Sequence, residues 1–218
     1  MPRVKIPRKS TTVDMTAMCD VAFLLLTFFM LATKFKPDDV VKVAPPSSVS
    51  SDDVPDKNAF QVMFDKDGKV FFSYNDDENL GPLIDVVSTQ QNLGLSPAEK
   101  KNLAHILAAG GGLGMPFAEL KQVLDLDPDS YKAFKQPGIP AIDSAHNELR
   151  TWVTCLLQAN GGRTPDNVLI KGDNGAKYPA FKEVIRAFTD NKVFHFKLVT
   201  AMADAPPGTA LWDERHKK

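Results

Sequence analysis

Cysteine is close to absent from this chain: Cys19 and Cys155 are the only two in 218 residues. That count excludes a disulfide framework and a zinc site built on paired thiols. Histidine is sparse too, four residues with no pair at ligand spacing, so no metal centre is expected. Neither sign of charge is in excess; 26 Lys and Arg against 27 Asp and Glu leave a net charge of −1. A nucleic-acid partner asks for a basic face, and the total offers no reason to expect one. No nucleophile–base pair and no paired carboxylates at a loop tip stand out. No catalytic residue and no cofactor is therefore assigned, and an enzyme is not expected.

Proline, glycine and charge are missing together from one stretch. Residues 15–33 read MTAMCDVAFLLLTFFMLAT, with Asp20 the sole charge. At about 1.5 Å per residue, nineteen residues approach the roughly 30 Å of a bilayer core. An Asp at the centre of a spanning helix costs roughly 2.5–3.5 kcal/mol, while each Leu, Phe or Val contributes about −0.3 to −0.6. The apolar run over residues 21–31 offsets most of that cost, and Asp20 lies in the first third of the segment. Insertion is feasible. Arg3, Lys5, Arg8 and Lys9 precede the run without an opposing acid, which keeps the N-terminus in the cytoplasm. Lys34 and Lys36 oppose that bias, but Asp38 and Asp39 follow them. The bulk of the chain then lies outside the cytoplasm. Two other readings fit less well. Asp14, Asp20 and the Met30/Ala32 pair suit a cleaved signal peptide poorly, and a run apolar nearly all round is a poor core helix for a soluble domain.

An ionisable residue within a membrane helix is a functional-site hypothesis by default, because keeping it there has a standing cost. At 100° per residue, Thr16, Asp20 and Thr27 share one face, a thin polar stripe on an apolar cylinder. Such a stripe is expected to face protein or a water-filled path. The alternative is that Asp20 sits hydrated at the interface and the threonines bond back to their own helix. A carboxyl that alternates between neutral and ionised forms inside a membrane can carry protons. Asp14, at the start of the helix, reads as an N-cap or interfacial acid.

Downstream, residues 40–43 read as a short extended segment and 45–56 as a flexible linker. FQVMF and VFFSY flank the turn dipeptide Asp67-Gly68, a hairpin over residues 59–74. Helix periodicity follows in Leu149, Trp152, Val153, Leu156 and Leu157, with Cys155 off that stripe and expected to be partly exposed or at an interface. A strand at 167–173, a helix carrying Phe181, Val184, Ile185 and Phe188, and a strand at 193–199 complete a β-β-α-β-α-β order. The fold class is α+β: one N-terminal transmembrane helix, then a small sheet with helices on one side and a helical insertion. Within the insertion, Ser96-Pro97-Ala98-Glu99 is a capping box opening a helix that ends near Ala109. Glycines 110–112 and 114 read as a flexible loop, since no strand or Lys-Ser/Thr pair makes a phosphate cradle. A helix is expected at 117–124 and a turn at 130–134.

The stretch MTAMCDVAFLLLTFFMLAT, with Thr16 four residues before Asp20 and a basic tail ahead of it, resembles the membrane helix of the ExbD/TolR family. Ala17 stands where that family often has Pro. LIKGD, Tyr178 and FHFKLVT are similar to the family's periplasmic domain; the two similar regions span about 4–74 and 143–200. The resemblance implies a biopolymer transport subunit of the bacterial inner membrane, single-pass, with its C-terminal domain in the periplasm. It implies these parts: 1–13 cytoplasmic tail, 14–35 transmembrane helix, 36–57 periplasmic linker, 58–204 ExbD/TolR-like domain with an insertion at about 80–142, and 205–218 flexible tail. It implies a proton motive force motor in which Asp20 carries protons. The implied partners are ExbB/TolQ-like polytopic channel subunits, a TonB/TolA-like transducer, a second copy of this chain as a homodimer, and membrane lipid, with no nucleic acid. The residues leave a rival open: a membrane-anchored binding or scaffold protein in which Asp20 only pairs helices.

Overall fold

A run without proline or glycine makes the first element a single uninterrupted helix, α1, Met15–Ala32. The computed structural model describes residues 15–32, 41–50, 52–55, 57–109, 111–126, 130–131, 134–141 and 146–216. The basic tail, Asp14, Lys34 and Lys36 lie outside them. The chain divides into two units, Met1–Lys36 and Pro37–Lys218.

The second unit is built on the expected hairpin. Strands β2, Ala59–Phe64, and β3, Val70–Asn75, pair antiparallel with Phe64 opposite Val70. The turn closes because the Asp65 carboxylate accepts from the N–H groups of Asp67 and Lys69, both at 2.9 Å. Gly68 takes φ +82° there, a conformation a side chain would resist. After β3 come the helices α2, Leu80–Gln90; α3, Pro97–Ala108; and α4, Leu120–Leu124. Helix α5, Glu148–Ala159, then leads into β4, Asn167–Gly172, helix α6, Tyr178–Asp190, and β5, Lys197–Leu198. The sheet order is β3-β2-β4-β5, with β4 parallel to β2 and β5 parallel to β4. The α+β class and the β-β-α-β-α-β order stand, with α2 to α4 set between the hairpin and α5.

One face of the sheet carries the core. Phe60, Val62, Phe64, Val70, Phe72 and Tyr74 are buried with Val168 and Ile170 against the buried stripes of α2 to α6. Trp152 stands at its centre, 4.6 Å from the Phe72 ring and 5.1 Å from that of Phe117, centroid to centroid. The opposite face is covered without helices, where Met63 and Phe71 pack under Val43.

Four expectations are corrected by the fold, and one element is added. The segment read as a flexible linker is partly docked: Val43 is buried, and strand β1, Ser47–Ser48, pairs parallel with β6, Ala201–Met202. The closing strand is two residues long: Val193 N–H donates to the Phe188 carbonyl at the end of α6, and sheet pairing begins only at Lys197. Helix α2, for which no expectation was stated, carries Pro82 in its first turn, where proline is tolerated. The C-terminal segment forms a further helix, α7, Ala210–His216, whose first turn is capped by the Thr209 hydroxyl accepting from Trp212 N–H at 3.3 Å. Cys155 is fully buried, since α5 packs against α2 on one side and α6 on the other and so buries a wider arc than its apolar stripe.

Candidate functional site

Helix α1 places Thr16 one turn before Asp20 and Thr27 seven residues after it, within roughly 40° of each other around the axis. No residue of α1 is buried, and Phe, Leu, Val and Met side chains are exposed all round it. A helix that supplied a soluble core would hide its apolar face. This one is the single helix, among the described residues, long and apolar enough to cross a membrane. Along the stripe, Thr27 donates its hydroxyl to the Leu24 carbonyl at 2.9 Å. Thr27 therefore meets its hydrogen-bonding need within its own helix and asks for no external partner. Asp20 is exposed on α1 and is its only charge.

A second site lies in the globular unit, where the carboxyl ends of the parallel strands β2, β4 and β5 meet the start of α6. A groove of about 310 Å³ opens there, walled by Phe64, Ile170, Phe181 and Leu198. Tyr178 forms its rim, 72% exposed, with its ring 6.4 Å from that of Phe181. Three segments singled out in the sequence thus converge: LIKGD supplies Asp173, the helix start supplies Tyr178, and FHFKLVT supplies Leu198 to Thr200.

Asp173 ties this groove to the segment that follows the membrane helix. Its carboxylate accepts from Ala44 N–H at 3.0 Å and from Gly175 N–H at 2.8 Å, and Asn174 N–H donates to the Ala44 carbonyl at 2.9 Å. The Ala44 and Gly175 amides hold the carboxyl below the usual carboxylate range. Pro46 completes the groove wall, and its carbonyl accepts from Ala201 N–H at 2.9 Å. Sequence reading missed this latch. The signal was the alternation of Val41 and Val43, which are partly and fully covered by the domain.

Elsewhere, ionisable groups serve structure. Asp76 accepts from the Tyr74 hydroxyl at 2.8 Å, from the N–H groups of Glu78 and Asn79 at 3.0 and 3.1 Å, and from Asn79 Nδ2 at 2.9 Å. Burial works against its charge, but these donors outweigh it and hold the carboxyl below the ordinary range. Burial pushes the Tyr74 hydroxyl far up, with Asp76 adding to the effect. Among the described residues no three His, Cys, Asp or Glu side chains cluster as metal ligands.

Compared with known proteins, the chain is matched over residues 7–126 by a family model described as Biopolymer transport protein ExbD/TolR. The match takes in α1, the hairpin and helices α2 to α4, and so much of the segment read as an insertion. No curated protein and no solved structure matches.

Proposed function

The chain belongs to the ExbD/TolR family of biopolymer transport proteins, and on that premise we propose that it is the proton-carrying subunit of an inner-membrane motor. The observation that carries this reading is one carboxyl, Asp20, the only charge on a long helix whose large apolar side chains are exposed. Two copies of α1 stand inside a ring of ExbB/TolQ-type channel subunits, with their N-termini in the cytoplasm. Asp20 takes a proton from the periplasmic side and releases it to the cytoplasm. One elementary charge crossing the field is worth roughly 2.3 kcal/mol per 100 mV, enough to bias a cycle of helix movements. The globular units dimerise in the periplasm and pass the work to a TonB/TolA-type transducer acting at the outer membrane.

The latch on Asp173 supports a mechanical role for the segment after the helix. A pull arriving along the chain is taken up at Ala44, and through Asp173 it acts on the end of β4 in the middle of the sheet. A linker free as far as β2 would dissipate it.

Asp20→Asn keeps the shape of the side chain and removes its proton chemistry. The variant is expected to insert and accumulate normally while energised uptake falls to the level of a deletion strain. Uptake at the wild-type rate in that variant would end the proton-carrier reading. The rival reading is a membrane-anchored binding or scaffold protein in which Asp20 only pairs helices. In that case the globular unit carried on a lipid anchor restores uptake to a deletion strain; the motor reading expects no restoration.

A further inference from the structure

Strand β3 would be a hazard if its outer edge were open. Its sequence, VFFSYN, is aromatic and β-branched, without charge, proline or glycine. An uncharged segment of that kind on a free edge is a template on which another chain can add a strand. The order β3-β2-β4-β5 puts β3 at the end of the sheet.

The edge is filled from within. Leu113 forms an antiparallel bridge with Phe72: Phe72 N–H donates to the Leu113 carbonyl at 3.0 Å and Leu113 N–H to the Phe72 carbonyl at 2.7 Å. Further along, Ile139 N–H donates to the Val70 carbonyl at 2.8 Å. These two short pieces are tied to each other, since Gly138 N–H donates to the Gly114 carbonyl at 2.8 Å. A buried side-chain clamp holds them: Gly114 N–H donates to Gln136 Oε1, Gln136 Nε2 donates to the Tyr131 hydroxyl at 2.8 Å, and that hydroxyl donates to the Gly112 carbonyl at 3.0 Å. Glycine is needed at 114 because a Cβ there would fall 2.1 Å from Phe71 Cδ1. Gly112 and Gly114, expected to lie in a flexible loop, are instead pressed onto the sheet. Leu113 and Ile139 are buried, and α3 packs along the same strand.

We propose that residues 111–115 and 138–139, clamped by Tyr131 and Gln136, are an edge guard that denies the β3 edge to a second copy of this chain. Crowding of identical copies at a membrane makes such pairing the nearest competing association, and the three edge groups already taken, Phe72 N–H, Phe72 C=O and Val70 C=O, leave an added strand no continuous ladder to bond. The inference stands whether or not Asp20 carries protons.

The test uses the full chain in detergent, comparing wild type with Leu113→Pro, which lacks the N–H given to Phe72, and with Gln136→Ala, which lacks the clamp. Leu83→Ala serves as a control that weakens the core and leaves the guard intact. Amide exchange at Phe72 is expected to rise about ten-fold or more in both guard variants, with light scattering showing assemblies larger than wild type. The Leu83→Ala control is expected to keep the wild-type size. Faster exchange at Phe72 with unchanged size would overturn the proposal, and so would unchanged exchange in both guard variants. Should Leu113→Pro fail to fold, Gln136→Ala alone decides between the same outcomes.

Discussion

Cys155 shows how a single side chain is governed by what packs around its helix. Burial pushes its thiol up to about 11, and its Sγ donates to Gln90 Oε1 at 3.1 Å. Thiolate is the reactive form, so the native protein is expected to leave Cys155 unlabelled by an alkylating reagent at pH 7.5 over hours. Labelling should become complete within minutes in denaturant, as followed by intact mass. Rapid labelling of the folded chain at this position would mean that α5 is not held between α2 and α6 as described. Asp20 is the opposite case at the same scale: it is exposed on α1, where it is the only charged side chain among apolar residues and two threonines.

Helix α2 is stabilised from outside its own span. Its N-cap position, Asn79, makes no capping bond through its side chain, and the work falls to Asp76, which gathers the N–H groups of Glu78 and Asn79. Asp76 is held below its unfolded value of about 3.9, so it stabilises the fold fully above that value. The contribution fades as pH falls through the lower, folded value. Thermal melts from pH 7 to pH 3 are expected to show a wild-type Tm that drops below about pH 4. Asp76→Asn should melt lower at pH 7 and lose less on acidification. Parallel losses in the two proteins would show that other carboxyls carry the acid sensitivity. The stripe Leu80, Leu83, Ile84 and Val87 is buried at helical spacing, so the periodicity of α2 was legible. Pro82 sits in its first turn, where proline is tolerated.

At the scale of the whole molecule, the core and the membrane helix are separate structures. The buried residues run from Val43 to Ala205, and α1 contributes none. Residues 37–218 produced without α1 are therefore expected to stay soluble and to unfold in one cooperative transition, with a near-ultraviolet circular dichroism signal from Trp152 that is lost on melting. A molten spectrum from that fragment would mean that the first unit is needed to complete the fold.

Local chemistry alone determined much of this protein. The apolar run with its one carboxyl, the Asp67-Gly68 hairpin, the Ser96 capping box and the stripes of α5 and α6 all depend on neighbours within a few residues, and periods of 2 and 3.6 record them. Tertiary structure decided the rest. The parallel pairing of β2 with β4 joins residues more than a hundred apart. The Ala44–Asp173 latch spans 129 positions, and Leu113 reaches the β3 edge only because a distant glutamine clamps it there. Such contacts follow from which surfaces meet once the chain has collapsed, and a residue such as Cys155, off its own stripe, is buried by a second neighbour that its local pattern does not record.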